Sequence, residues 1–565
     1  MSVVLGISNA HNGSVALISD GIVKCAIQAE RISRKKTQAL YLDRERSLME
    51  NCVRYCLNAT GFQYSDVEAI GVSTHKNIKK INNEDLFKHI GGAPEKYAET
   101  FYVPHHFSHM EYIAHYGKLE PGIILVIDGS GSAEQDRLFF NVQEEHHPQI
   151  INHTHSAGRE VISAYWFDGF KSSLVYRFSP SHLKIDKCNK DGGFLYQSIG
   201  HYWEWASLYC CGSLNKAGKV MGLAAFGEKN KMSTEEILSI SDDGKINVDY
   251  TQLKERFQDH NIFKLDLSNS KHHQNVAQKV QSETETVILK LLGILKEKFP
   301  TNTLYLSGGV ALNVVANERI IKSNLFENVI LNGSVEDGGT AIGAGLSVSL
   351  KLGYKRKSSA VTDYYGRRYN HKEIMEAVSK YDFSYKVLTD KEIFKNAADL
   401  ILKEKIFGWF QGGSEFGPRA LGNRSILANP TSSTTKHILD HYMKCRDRYR
   451  PYAPVVIEER ANQYFEMDSS SPVMMRNVKV LDKQLTAVTH IDGTARVQTV
   501  NKKENETLYL LLLEVEKSTG YPVLLNTSFN LPGEPIVETP LDALSSFSRG
   551  TLDYLFIENI LISRK

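Results

Sequence analysis

The stretch IILVIDGSGS, residues 123–132, decides the fold. Ile123 to Ile127 is an apolar run too short for a helix, closed by Asp128 and by small turn residues. That pattern reads as a buried strand with a carboxylate at its carboxyl edge. RLFFNV, residues 137–142, follows and reads as a second strand. The chain opens in the same way: VVLGI (3–7), a polar turn, SVALI (14–18), the hairpin signal Asp20-Gly21, then IVKCAI (22–27). A strand–turn–strand unit that occurs twice predicts two related halves.

Further along, Val276, Val280, Val287, Leu291 and Ile294 fall near one stripe and predict a helix over 276–299, stopped by Pro300. The strand LYLSGG (304–309) and a helix from Val310 come next. Strand, glycine pair, helix is how a backbone comes close to a phosphate. GSVEDGGTAIGAG (333–345) is a second glycine-rich turn entering a helix. The polar, basic run from Lys351 predicts a linker over 350–370, and the rest of the chain carries a different motif set. Domains are therefore expected at 1–355 and 356–565. The segment 146–194 has no clear period.

A chain of 565 residues is too long for one compact core. Its 42% hydrophobic and 23% charged residues are ordinary for a globular protein. A net charge of +2 gives no basic surface for nucleic acid. No apolar run approaches the roughly 18 residues of a spanning helix, so no membrane partner is expected. MSVVLGIS has no basic n-region, and no signal peptide is expected. The seven cysteines include no C-x-x-C pair, which predicts reduced thiols and a cytoplasmic location.

PHHFSHMEYIAH (104–115) places His105 and His109 four apart, on one face of a helix. That spacing lets two imidazoles share a cation, and equally fits a hydrogen-bonded histidine pair. With Asp128 and Asp337 the set would be mixed nitrogen and oxygen, suited to Fe(II), Mn(II) or Zn(II). Tyr202, Trp203 and Trp205 read as core, with an acceptor-pocket lining as the other reading.

Read together, HNGS (11–14), AERISRKK (29–36), HHFSH (105–109), VIDGSGS (126–132), GKVMGLAAFG (218–227), LSGGVALN (306–313) and EDGGTAIGAG (336–345) form an ordered set. FGPRALGNRSIL (416–427), YRPYAPVV (449–456), DGTARVQTV (492–500) and LLNTSFNLPGEPIV (524–537) complete it. Over nearly the whole chain this set resembles the O-carbamoyltransferases of antibiotic tailoring and nodulation-factor synthesis. The resemblance implies an α/β protein: an N-terminal actin-like ATPase domain similar to threonylcarbamoyl transferases, and a C-terminal α/β domain similar to threonylcarbamoyl-adenylate synthases. It implies that the C-terminal domain makes carbamoyl adenylate from ATP and carbamoyl phosphate. The N-terminal domain would then pass the carbamoyl group to a hydroxyl of a small-molecule acceptor.

By the same resemblance, His105, His109, Asp128 and Asp337 match the metal ligands, for Fe(II) or another divalent ion, and His11 matches the general base. Asn9, Lys36, Lys219, Gly308, Gly309 and Asn313 match nucleotide or acceptor contacts. Arg419, Lys444, Arg450, Arg496, Asn526, Ser528 and Asn530 match the pocket for carbamoyl phosphate and ATP, the latter with Mg2+. A homodimer is compatible with this reading. Two departures, Asn12 after His11 and Ala29 before Glu30, bear on the acceptor. The residue types suit the chemistry. Arginine forks and a lysine point charge neutralise polyanions, and a histidine takes a hydroxyl proton near neutral pH. Without the resemblance His11 reads as a turn histidine and each arginine equally as a surface residue or a ligand, except that the apolar neighbours FGP and ALG disfavour a surface position for Arg419. The rivals are a same-fold enzyme with a tRNA or protein acceptor, a sugar kinase, and a non-catalytic nucleotide-binding relative. A tRNA acceptor calls for a basic surface, and a hydrogenase-maturation enzyme for C-x-x-C pairs.

Overall fold

The computed structural model describes residues 3–42, 44–75, 98–184, 194–229, 231–232, 235–251, 271–358, 363–444 and 450–565. Cys188, Cys445 and Tyr449, the first residue of the YRPYAPVV motif, lie outside the described residues.

Three sheets organise the chain. The first contains β1 (Val3–Asn9), β2 (Ser14–Ser19), β3 (Ile22–Gln28), β4 (Val67–Thr74) and β5 (Glu99–Pro104), in the order β3-β2-β1-β4-β5. β1 and β2, and β2 and β3, pair antiparallel; β4 runs parallel to β1 and β5 to β4. The second sheet begins with β6 (Gly122–Ile127), β7 (Glu145–Thr154), β8 (Ile162–Phe167) and β9 (Ser172–Ser179). Two small antiparallel pairs follow: β10 (His182–Lys184) with β11 (Phe194–Tyr196), and β12 (Leu238–Ile240) with β13 (Ile246–Val248). β14 (Thr303–Ser307) and β15 (Asn328–Leu331) complete the second sheet, in the order β15-β14-β6-β8-β9-β7. β6, β8, β9, β14 and β15 repeat the antiparallel and parallel pairings of β1 to β5, with β7 added at the edge. The two related halves are present as topology.

The antiparallel partner of β6 is β8; RLFFNV is not a strand. Glu134–Phe139 forms a 3-10 turn. Its charged residues are drawn inward, where Arg137 pairs with Glu134 and Glu144 at 2.7 Å each. Sequence 146–194, which has no period, supplies β7, β8, β9 and β10.

The predicted helix over 276–299 is Lys271–Lys298. Beyond β14 the chain makes a 3-10 turn, Gly309–Leu312, before the helix Val314–Lys322, because the Asn313 side chain caps that helix and accepts from Ala316 N–H. Equivalent helices follow the fifth strand of each half, His105–Ala114 and Thr340–Lys351. They pack closely because Gly343 has no side chain: a Cβ there would lie 1.7 Å from the Ser108 carbonyl oxygen.

The third sheet fills the last third of the chain. Its strands are β16 (Ser384–Val387), β17 (Phe407–Phe410), β18 (Arg424–Ala428), β19 (Ala453–Ile457), β20 (Arg476–Lys479), β21 (Thr494–Val500), β22 (Val523–Ser528), β23 (Tyr554–Ile557) and β24 (Ile560–Ser563). They are ordered β16-β24-β23-β17-β18-β22-β19-β21-β20.

The described residues of the predicted linker are tightly held. Arg356 pairs with Glu111 at 2.7 Å, both side chains 3% exposed. Asp363 accepts from Tyr112 Oη–H at 2.6 Å and from Gly333 N–H at 2.8 Å. Arg31, fully buried, donates to the Gly417 carbonyl, tying the first half to the FGPRALG loop. Among the described residues no helix is long and apolar enough to cross a membrane.

Candidate metal centre and cationic pocket

His105 and His109 stand on the helix that leaves β5, Asp128 at the end of β6, and Asp337 in the 3-10 turn Asp337–Gly339. Strand order brings these distant positions to one point. His105 Nε2 lies 3.0 Å from Asp128 Oδ2, 3.3 Å from Asp337 Oδ1 and 3.2 Å from His109 Nε2. His109 Nε2 lies 3.7 Å from Asp128 Oδ2 and 3.8 Å from Asp337 Oδ1. Four ligands at about 2.1 Å around a tetrahedral ion are about 3.4 Å apart. The observed edges bracket that value, and all four residues are buried, so the donor set fits a divalent cation. Both Nδ1 atoms lack hydrogen-bond partners, which marks Nε2 as the nitrogen each ring would offer.

The electrostatics point the same way. Burial opposes charge on His105, yet Asp337 and Asp128 hold its imidazolium up to about 10. Both carboxylates stay well below their ordinary range against burial, Asp128 mainly through His105 and Asp337 mainly through His11 and His105. The pocket is arranged around a positive charge. The backbone of the Asp337 turn is fixed by Ser8 and Thr340 hydroxyls donating to the Asp337 carbonyl at 2.8 and 2.6 Å. His105 N–H donates to Ser132 Oγ.

His11 sits on the loop after β1, with Nδ1 3.0 Å from Asp337 Oδ2 and a side chain 66% exposed. Asp337 raises it to about 9 against burial. A cation sharing that carboxylate opposes the rise, and solvent around the ring weakens it. His75, just past β4, is a member that sequence reasoning missed. Its Nε2 is 3.4 Å from Asp337 Oδ2 and its ring centroid 3.8 Å from that of His105. Burial and His105 push it down to about 4, so it faces the cluster as a neutral ring. One signal could have found it: His75 follows an apolar strand, as His11 follows β1 and Asp128 ends β6.

The remaining N-terminal residues divide. Gly309 N–H reaches Asp128 Oδ1 at 3.3 Å, and Gly308 has φ +89 with no room for a Cβ, which would meet the Ile127 carbonyl oxygen at 2.3 Å. Both lie against the metal cluster. Asn9 is engaged in the fold: it donates to Thr74 Oγ1 and accepts from Leu42 N–H. Asn313 likewise caps its helix and exchanges hydrogen bonds with Gln281. Lys219 is on the helix Ala217–Ala224, and Lys36 is exposed beyond the helix Ala29–Ser33.

In the third sheet, Asn526 on β22 donates to Gln498 Oε1 at 2.8 Å and to the Ala420 carbonyl at 3.2 Å. Gln498 donates to the Leu421 carbonyl, so the FGPRALG loop is pinned over the sheet beside Arg419. Arg496 is two residues before Gln498 on β21 and shares its face; Arg450 lies just ahead of the neighbouring β19. Lys444 donates to the Ser528 and Asn530 carbonyls, at 2.5 and 2.9 Å, and to Asn530 Oδ1 at 2.7 Å. Arg419 has no hydrogen bond on Nε, and burial pulls its guanidinium down to about 10.

These two sites lie on a chain whose residues 3–346 match the carbamoyltransferase N-terminus model and whose residues 398–564 match the carbamoyltransferase C-terminus model. The chain belongs to the carbamoyltransferase family, and is a carbamoyltransferase. It is 28% identical to nodulation protein NolNO of Sinorhizobium fredii over 98% of this chain and 79% of that protein. It is 30% identical to nodulation protein NolO of Bradyrhizobium diazoefficiens over 72% of this chain and 78% of that one. Among solved structures, full-length HypF in a phosphate- and nucleotide-bound form aligns with 63% of this chain and 56% of its own, at 12% identity and a TM-score of 0.40.

Proposed function

We propose that the chain is an ATP-dependent O-carbamoyltransferase with two reaction sites. At the third sheet, water hydrolyses carbamoyl phosphate to carbamate and inorganic phosphate; a carbamate oxygen then attacks the α-phosphorus of ATP and expels pyrophosphate, leaving carbamoyl adenylate. Arg419, Arg450, Arg496 and Lys444 neutralise the polyanionic substrates, and Asn526, Ser528 and Asn530 orient the carbamoyl group. Closing that pocket to water preserves carbamate, which is unstable in solution.

At the first site, an acceptor hydroxyl attacks the carbamoyl carbon of the adenylate and AMP leaves. His11 Nδ1 faces Asp337, so Nε2 is the atom free to accept the hydroxyl proton. A divalent cation held by His105, His109, Asp128 and Asp337 supplies Lewis acidity for the carbonyl or the hydroxyl when bound. His75, neutral and buried, orients Asp337.

The observation that carries this reading is the convergence of four ligand side chains, within 4.8 Å of one another, beside the exposed His11. The test is pyrophosphate release from ATP, which must depend on carbamoyl phosphate. His11→Ala keeps that release and loses transfer to every acceptor. Loss of both activities in His11→Ala refutes the division of labour between the sites.

A further inference from the structure

The first turn of the helix Ile199–Cys211 packs against the end of β6, beside the His/Asp cluster. Ser198, its N-cap, donates from Oγ to the Asp128 carbonyl at 3.1 Å. A Cβ on Gly200 would fall 2.6 Å from Gly129 Cα, so the first turn rests on the strand end that carries Asp128. Glu204 is four residues beyond Gly200 and therefore on the same face. Its Oε1 lies 4.0 Å from where a Gly129 side chain would begin, over the floor formed by the glycines that follow Asp128. The other face of this helix is anchored in the core, through Tyr202 to Glu283 and Trp203 to Thr284.

Among the described residues the Glu204 carboxylate makes no hydrogen bond, and its one ion-pair contact is with His201 at 3.8 Å. Its side chain is 42% exposed. Desolvation raises it toward about 7, with His11 drawing it down and Asp128 pushing it up, and solvent on its exposed side weakens these effects. Half exposed, with only the 3.8 Å approach of His201, this carboxylate is open to a ligand that enters beside the His/Asp cluster. A charged group at the mouth of a site orients an incoming ligand.

Building on the proposed function, we propose that Glu204 is a specificity-determining residue: its carboxylate receives a hydrogen-bond donor of the acceptor, an ammonium or a hydroxyl adjacent to the hydroxyl that is carbamoylated. The acceptor class is then a polyhydroxylated or amino-bearing small molecule of sugar-like size. Glu204 sets which hydroxyl reaches His11 Nε2.

The experiment compares wild type, Glu204→Ala and Glu204→Gln in the metal-loaded full chain. Binding of D-glucosamine and D-glucose is titrated by saturation-transfer NMR, which needs no turnover. Carbamoyl phosphate-dependent pyrophosphate release is read in parallel as a check on folding and on the other site. The expected result is affinity about tenfold weaker in Glu204→Ala for at least one probe, with pyrophosphate release retained. Glu204→Gln then identifies the donor: loss for glucosamine alone marks an ammonium, and unchanged binding of both marks a hydroxyl. Equal affinity of wild type and Glu204→Ala for both probes, binding of neither included, overturns the role of Glu204. Absence of pyrophosphate release in wild type sinks the proposed function and is read separately from the binding comparison.

Discussion

The His/Asp cluster and the Arg419 guanidinium handle charge in opposite ways. In the metal centre two carboxylates and two imidazoles are buried against one another, and a proton on His105 can stand where a cation would sit. In the third sheet Arg419 is half-buried, with its Nε unbonded. The first pocket is close to self-compensated, so it can wait empty. Arg419 keeps a guanidinium nitrogen without a hydrogen bond, which an anionic ligand can use. A self-paired cluster suits a resident ion, and an uncompensated guanidinium suits a substrate that comes and goes.

The sharpest way to break this comparison is a double dissociation. His109→Ala should lower metal content by mass spectrometry and transfer rate by about a hundredfold or more, with pyrophosphate release intact. Arg419→Ala should lower pyrophosphate release by about 10²–10³ and leave bound metal unchanged. If either variant moves both readouts equally, the sites do not act separately.

A smaller effect concerns the segment joining the pockets. Arg356→Ala leaves Glu111 buried without its partner, on the helix that carries His105 and His109. Global stability should fall by about 3–5 kcal/mol, read as a lower midpoint in urea. An unchanged midpoint would show that solvent reaches Glu111.

The smallest effect is a pH slope. Burial raises Asp363 from its ordinary value of 3.8 to about 6. The folded state therefore holds this proton more tightly than the unfolded chain. Asp363 lends stability that is fully present below about pH 4 and is lost as pH rises through about 6. Asp363→Asn keeps an acceptor for Tyr112 and Gly333 and should flatten this part of the stability–pH curve by about 2–3 kcal/mol. Identical slopes in the two proteins would contradict the burial argument.

Much of the architecture was legible from local pattern. The apolar runs of β1, β2, β3 and β6, the helix Lys271–Lys298 and the turn into Thr340–Lys351 were readable because burial on one face imposes a period on neighbouring residues. RLFFNV misled because a short apolar run does not distinguish a strand from a turn packed against a core. The 350–370 stretch read as a linker because a basic, polar composition records solvent preference, not a specific buried partner such as Glu111.

By itself the sequence determined the repeated strand units, the H-x-x-x-H face, and the motif set that marks a carbamoyltransferase. Only the tertiary structure decided that His75 joins the cluster, that Asn9 and Asn313 are engaged in holding the fold, and that Glu204 stands beside the glycine that follows Asp128. The reason is physical. Periodicity is written over a few consecutive residues, whereas the meeting of strand ends 30 to 330 residues apart is set by sheet order and helix packing, which no local pattern encodes.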